Sequence, residues 1–465
     1  QHTYAALISR AFDPKYWSAA GLFKIANGQL VKTPLGHSQM AMNFSMFWGI
    51  AIMLYEQTLV SDQSEFDTLV AANPNPLVVV PNFAPGVGRC TVEGLLDEDK
   101  KLLVRGCTIW ARAAGAGAAG PAPADGVRGG NCFICHNAPG GGVGRPTPPM
   151  LSQAAFQNGE VFALMIQVGK NLGGVHRHDQ GTMSIGLRPV FTDRINGGDD
   201  PHGNPLSFSR QLQNYLANGN DPKYLVDPVL QRAVAGGAPA APNPLGVAGL
   251  APVLGVDGAA KSPHLRNVAL TPPYFSWGGY PSLRQALKLY NRGLNRRDIT
   301  AANALTERAA GTACTSGDNT GTGPDGNQPY PLAGVANCDT NTTGTVLALG
   351  LLDCDPDPVT GNPPPECAGK TAANDDLAAL ERFLKSLTDP RVQCDKAPFD
   401  HPQLTILNGH KDTDPNGDKK ATDITFSLPA VGAGGYSSAS GFCIPNAGDL
   451  FAPGMQARSG GPKAP

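Results

Sequence analysis

Charge is scarce in this chain. Only 16% of its residues are Asp, Glu, Lys or Arg, and 36 basic residues against 38 acidic ones leave a net charge of −2. A near-neutral composition offers no electrostatic footprint for nucleic acid and no attraction to an anionic membrane. Aromatic residues are also few, at 7%. Long apolar runs are missing. Met40 to Val60 comes nearest, but Asn43, Ser45, Glu56 and Gln57 interrupt it, and an ionisable Glu is costly in lipid. A buried helix is the expectation there, and no membrane span. A basic-then-apolar leader is absent from the start at Gln1, which reads as a processed chain or part of a longer one. What the chain has in excess is Gly (57) and Pro (42), more than a fifth of its 465 residues. Such a composition gives many loops with helices between them.

Ten cysteines are present. Two of them, Cys132 and Cys135, stand two residues apart and are followed at once by His136. Both thiols of a C-x-x-C-H stretch can form thioethers to one haem, and the adjacent imidazole can reach its iron. A redox dithiol or half of a zinc site would use the same two thiols. The first usually sits in a compact βαβ unit, which is not visible around the motif. The second needs further ligands, and the next histidines are His176 and His178. A covalently bound haem c with His136 as proximal ligand is therefore the expectation. Removing the pair leaves eight cysteines. An even remainder in a Gly/Pro-rich chain points to disulfides and an oxidising compartment, periplasmic or extracellular. Short loops would be closed by Cys90 with Cys107, Cys314 with Cys338, and Cys354 with Cys367.

Apolar spacing predicts a helix from Phe44 to Leu59, read as a core helix, and another from Leu96 to Trp110 with acidic residues early and basic ones later. A short helix is expected over Phe156 to Val168. Asp375 to Leu387 forms an amphipathic helix with Leu377, Leu380, Leu384 and Leu387 on one face and Asn374 as its N-cap. Residues 113–130 read as a tether without structure, and the tail from 391 reads as loop. Four parts follow: an N-terminal segment 1–89, a haem domain over 90–300 and 373–390, a disulfide-rich insertion 301–372, and a C-terminal extension 391–465.

Three stretches carry a family likeness. One runs Lys261-Ser262-Pro263-His264-Leu265-Arg266-Asn267-Val268-Ala269-Leu270-Thr271-Pro272-Pro273-Tyr274-Phe275. A second runs from Ser282 to Gly293, and the third is Phe383-Leu384-Lys385-Ser386-Leu387-Thr388-Asp389-Pro390. Their order resembles the C-terminal haem domain of the bacterial di-haem cytochrome c peroxidase superfamily, which includes the enzyme that matures methylamine dehydrogenase and the rubber oxygenases. Tyr55 to Val60 is similar to the helix that precedes the family's second haem motif. The likeness covers roughly residues 40–300 and 375–405. It implies a mainly α fold, a c-type cytochrome domain with long Gly/Pro-rich loops and disulfide-pinned insertions. Family members carry two C-x-x-C-H motifs, whereas this chain has one, matching the second. In the family the first haem reacts with peroxide and the second passes electrons.

By that resemblance Tyr290 stands where the peroxidases place a distal Met. The open alternatives for the iron's sixth position are His176, His178, Met183 and His264. Arg266, and more weakly Arg188, would pair with haem propionates through a bidentate fork. Trp48 or Trp110 would bridge to a neighbouring haem. The partners implied are a redox protein or small electron donor, and another haem-bearing chain or segment. Separately, Asp412, Asp414, Asn416, Asp418 and Asp423 follow calcium-loop arithmetic, with Gly417 at the sixth position and Asp at the twelfth. The expected function is an extracytoplasmic haem oxidoreductase with an electron-transfer role for the haem at His136. The alternative is a non-catalytic electron-transfer or structural haem subunit.

Overall fold

The structure is a computed structural model. It describes residues 3–26, 29–80, 86–94, 97–113, 123–136, 163–166, 175–178, 182–183, 199, 203–205, 211, 214–215, 218–219, 221–226, 260–261, 263–275, 278–291, 351–356, 361–369, 375–411, 422–437 and 443–452.

Helix α1 (Tyr4–Ala11) starts on Thr3, whose hydroxyl accepts from the Ala6 amide. Strands β1 (Phe23–Ala26) and β2 (Gln29–Lys32) form an antiparallel hairpin. Short α2 (Gln39–Met42) then leads into α3 (Phe44–Glu56). Asn43 and Gln39 tie this stretch together through the carbonyls of Tyr16 and Lys15. The spacing predicted the helix α3 correctly but not its surroundings. Of its residues only Phe47 is buried, so the expected core helix is instead an exposed one. Apolar spacing marks a face that wants cover; it does not supply the cover.

Helix α4 (Glu65–Val70) begins with a capping box, in which Ser64 and Asp67 satisfy each other's backbone amides. Strands β3 (Val78–Val80) and β4 (Arg89–Thr91) pair antiparallel, placing Val79 opposite Cys90. Helix α5 (Glu98–Ala111) is capped by Asp97. It is joined to β4 by the Cys90–Cys107 disulfide and by the Thr108 hydroxyl, which accepts from the Cys90 amide at 3.0 Å. A single turn, α6 (Cys132–Cys135), follows. Helix α7 (Leu283–Asn291) comes much later. Its entry is fixed by Ser282 and Gln285, each accepting from the other's amide. Helix α8 (Asp376–Lys385) is capped by Asp375; the expected cap, Asn374, lies outside the described residues. Short α9 (Pro390–Gln393) follows it.

The core lies between α5 and α8. Leu103, Ile109 and Trp110 of α5 meet Leu377, Leu380 and Phe383 of α8, all of them at most 2% exposed. Their closest approach is at Gly106. A Cβ there would overlap the Ala379 carbonyl and sit 2.8 Å from Phe383 Cβ. Glycine lets the two backbones touch. The Trp110 ring packs 6.0 Å from Phe383 and 6.5 Å from Phe133 in α6. Phe383 in turn faces Phe66 of α4 at 5.8 Å, and α7 adds Leu283, Ala286, Leu287 and Leu289.

The expectation of a mainly α, cytochrome-type fold is overturned. The described residues are 37% helix and 15% strand and show no cytochrome fold. Their strands form five two-stranded antiparallel sheets. The expected helix over Phe156 to Val168 gives strand β5 (Ala163–Ile166), paired with β6 (Val175–His178). Strand β7 (Thr182–Met183) pairs with β8 (Ala260–Lys261). The tail read as loop holds the longest hairpin, β9 (Leu404–Lys411) with β10 (Thr422–Leu428). Segments of two to eight residues are too short to fix a period, and β-branched residues there favour pairing. Residues 123–130, expected to lack structure, are held by Arg112, whose fork grips Asp125 at 2.9 and 2.7 Å.

Three disulfides are present among the described residues: Cys90–Cys107, Cys354–Cys367 and Cys394–Cys443. The first two are the pairs expected from short loops; Cys314 and Cys338 lie outside the described residues. Structural disulfides persist in oxidising compartments. No helix among the described residues is long and apolar enough to cross a membrane.

Candidate functional site

The C-terminal end of α5 presents the Cys132 turn. A helix leaves its last carbonyls without intrahelical partners. Here Gly130 donates to the Ile109 carbonyl at 2.7 Å and Asn131 to that of Arg112 at 3.1 Å. The chain leading into the motif thus caps the helix that precedes it. A Cβ at Gly130 would stand 3.0 Å from Cys132 Sγ and 3.1 Å from an Ile109 methyl, so a small residue is needed for that approach. Asn131 adopts a left-handed conformation (φ 57°), which turns the chain into α6. Asn tolerates that region better than most residues.

Cys132 is half-buried and its thiol donates to the Gly130 carbonyl at 3.4 Å. Phe133 is fully buried against Trp110. Cys135 closes the turn, one residue before His136. The His136 amide donates back to the Cys132 carbonyl at 2.9 Å, which closes the backbone turn between the first cysteine and the histidine. Its Nδ1 lies 2.9 Å from the Pro263 carbonyl. A carbonyl can only accept, so Nδ1 carries the proton and Nε2 keeps its lone pair. Burial depresses the His136 pKa below 6.5, against a smaller opposing effect of the Pro263 bond. The ring is thereby neutral near pH 7. A neutral imidazole that donates from one nitrogen to a backbone carbonyl is the arrangement that readies the other for a metal. Two cysteines within five residues of such an imidazole are the donor set that a covalently held haem would use.

What presents Pro263 is the segment 263–275. Leu265 enters the core. Arg266 forms a fork with Asp67, NH1 and NH2 each 2.7 Å from a carboxylate oxygen. Burial raises the Asp67 pKa, but the hydrogen bonds from Arg266 and Ser64 and the Arg266 charge outweigh it and hold the carboxyl below its ordinary 3.8. Asn267, at φ 61°, donates to the Ser61 hydroxyl and accepts from the Asp389 amide. Tyr274 donates its hydroxyl proton to the Val268 carbonyl at 3.0 Å. Burial, with the nearby Glu381 and Asp449 charges, pushes its pKa far above the usual tyrosine range, so it remains protonated.

This one segment brings together three of the residues singled out from the sequence, His136, Arg266 and Tyr290. Its Pro263 holds His136, its own Arg266 binds Asp67, and its Phe275 ring lies 6.2 Å from that of Tyr290. Tyr290 is half-buried in the last turn of α7. Both terminal nitrogens of Arg266, expected at a haem propionate, are engaged by Asp67. His264 is exposed. His176 and His178 lie in β6 and Met183 in β7; Arg188 falls outside the described residues. Trp48 is exposed and Trp110 buried.

Of the expected calcium loop, residues 412–421 lie outside the described residues, so Asp412, Asp414, Asn416 and Asp418 are not placed. Asp423 is exposed in β10, opposite His410. The flanking elements are therefore strands, not the helices of an EF-hand. A cluster that the sequence did not reveal joins Asp353, Asp355 and Asp375. Its negative charge is met by Arg284 and Lys288, which bind these carboxylates at 2.8–3.1 Å. It anchors residues 351–356 to α7 and α8. Compared with family models, curated proteins and solved structures, the chain matches none.

Proposed function

We propose that this chain carries one haem c attached through Cys132 and Cys135, with His136 as proximal ligand, and acts as an extracytoplasmic oxidoreductase or electron carrier. The observation that carries the reading is the Nδ1–H bond from His136 to Pro263, which leaves Nε2 available for iron. The haem, when bound, would supply one-electron chemistry. The chain's part is to anchor that group, fix the imidazole and shield one side of the turn with Phe133 and Trp110. In this proposal Tyr290 takes the sixth position, as the resemblance implies, and a redox protein or small donor exchanges electrons with the site. The disulfides support a location outside the cytosol, the periplasm being the specific proposal. Denaturing electrophoresis with in-gel haem staining tests attachment: a stained band at the chain's mass is expected. Loss of the stain in Cys132→Ser with Cys135→Ser, while the wild type keeps it, assigns the thiols. A wild-type chain that never stains refutes the proposal.

A further inference from the structure

We propose that α3 is the contact helix of a homodimer, crossing the same helix of a second copy at Gly49. Such a dimer does not require the haem. Residues 3–60 bury only Ile8 and Phe47 among their described large apolar residues, and neither belongs to the main core cluster. On α3 the side chains of Phe44, Met46, Trp48, Ile52, Met53 and Tyr55 are each 37–54% exposed. Tyr4 of α1 extends the face, with its ring 5.5 Å from Phe44 and 5.7 Å from Trp48. A contiguous apolar surface of this kind marks an interaction site.

The area suits a protein partner. An aromatic side chain buries about 150–250 Å² when covered, so the four half-exposed rings offer roughly 400 Å². With the exposed aliphatic side chains of α1 and α3, Leu7, Met46, Ile52, Met53 and Leu54, the face reaches on the order of 700 Å². Each partner in a standard interface gives about 800 Å². A lipid surface fits less well. Interfacial helices place Lys and Arg on their polar face, whereas α3 contains neither.

Gly49 points to a second copy. It stands near the middle of Phe44–Glu56, is exposed, and a Cβ there would meet nothing within 4 Å. Glycine is disfavoured inside a helix, and packing within the chain does not require it here. Two residues beyond buried Phe47, it faces the opposite way, in one stripe with Met46, Ile52 and Met53. A two-fold interface places each residue of the crossing near its own counterpart. A mid-helix glycine flanked by apolar side chains is what two such helices need to approach closely.

Sedimentation equilibrium of the full chain at micromolar concentration should give a dimer. Met53→Glu should weaken association at least tenfold with an unchanged circular dichroism spectrum, and Phe451→Glu, at an exposed site outside α1 and α3, should not. Gly49→Cys should form a disulfide-linked dimer under mild oxidation at least tenfold faster than Leu35→Cys, the latter 90% exposed in the native chain. A monomeric wild type, a dimer indifferent to Met53→Glu, or equal cross-linking of the two cysteine variants would overturn the proposal. Flotation of a monomer with phosphatidylcholine–phosphatidylglycerol vesicles would overturn it in favour of lipid.

Discussion

Replacing Asp67 by Asn tests how firmly the segment that holds His136 is anchored. Asp67 does two jobs: it closes the capping box of α4 and it binds the Arg266 fork. The two side chains are only 11% and 12% exposed. Asn keeps the volume and can still serve the cap, so the main loss is the charge opposite a nearly buried guanidinium. Breaking a buried pair from one side costs about 3–5 kcal/mol, because the other charge stays unpaired. Arg266→Met alone should cost less, and the double variant should cost less than the sum, with a coupling of about 1–3 kcal/mol. Urea denaturation followed by circular dichroism measures each, provided the slope is constant. The pH dependence has a fixed sign. The folded pKa of Asp67 is depressed, so the stability it adds is complete above its unfolded value of about 3.9 and disappears as pH falls through the lower folded value. The gap between wild type and Asp67→Asn should therefore stay level from pH 7 to 5 and close below about pH 4. A cost under about 1 kcal/mol, typical of an exposed pair, or a gap that widens in acid, would refute the reasoning.

Gly106→Ala should destabilise by about 2 kcal/mol or more, since overpacking costs about 1–3 kcal/mol and more when backbone must part, against about 1 kcal/mol gained in helix propensity; the denaturation midpoint reports it, with Gly432→Ala, where nothing lies within 4 Å, as the neutral control. Paired Cys90→Ser and Cys107→Ser should cost about 2–4 kcal/mol, read from the same midpoint under non-reducing conditions. If Tyr290 is the sixth ligand, Tyr290→Phe should shift the optical spectrum of the haem-loaded chain and admit cyanide, while an unchanged spectrum removes Tyr290 from that position.

Helices were legible where a repeat of 3.6 ran over several turns, as in α5 and α8. Their exact starts were not: α5 begins on the cap Asp97, inside the expected helix, and α8 on Asp375, one residue after the expected cap Asn374. Hairpins were not legible. Val78–Val80 and Ala163–Ile166 are too short to show a period, although their partners, Arg89–Thr91 and Val175–His178, follow closely in the chain. The burial of α3 was misjudged because hydrophobicity states a preference and not a neighbour. At the candidate site, the thiols and imidazole sit within five residues and could be read together. Their supports could not. Pro263 is 127 residues from His136, and Asp67 is 199 from Arg266. The carbonyl that sets the tautomer belongs to the backbone, which carries no side-chain signature.

The central claim is that the turn from Cys132 to His136 holds a haem covalently. Intact mass of the native, purified chain under denaturing conditions tests it most directly, with a pyridine haemochrome assay on the same sample. The account predicts the chain mass plus one haem, surviving acid–acetone extraction, and a peptide spanning Cys132 to His136 that bears it. A chain mass without haem, or haem released entirely by acid–acetone, would contradict it.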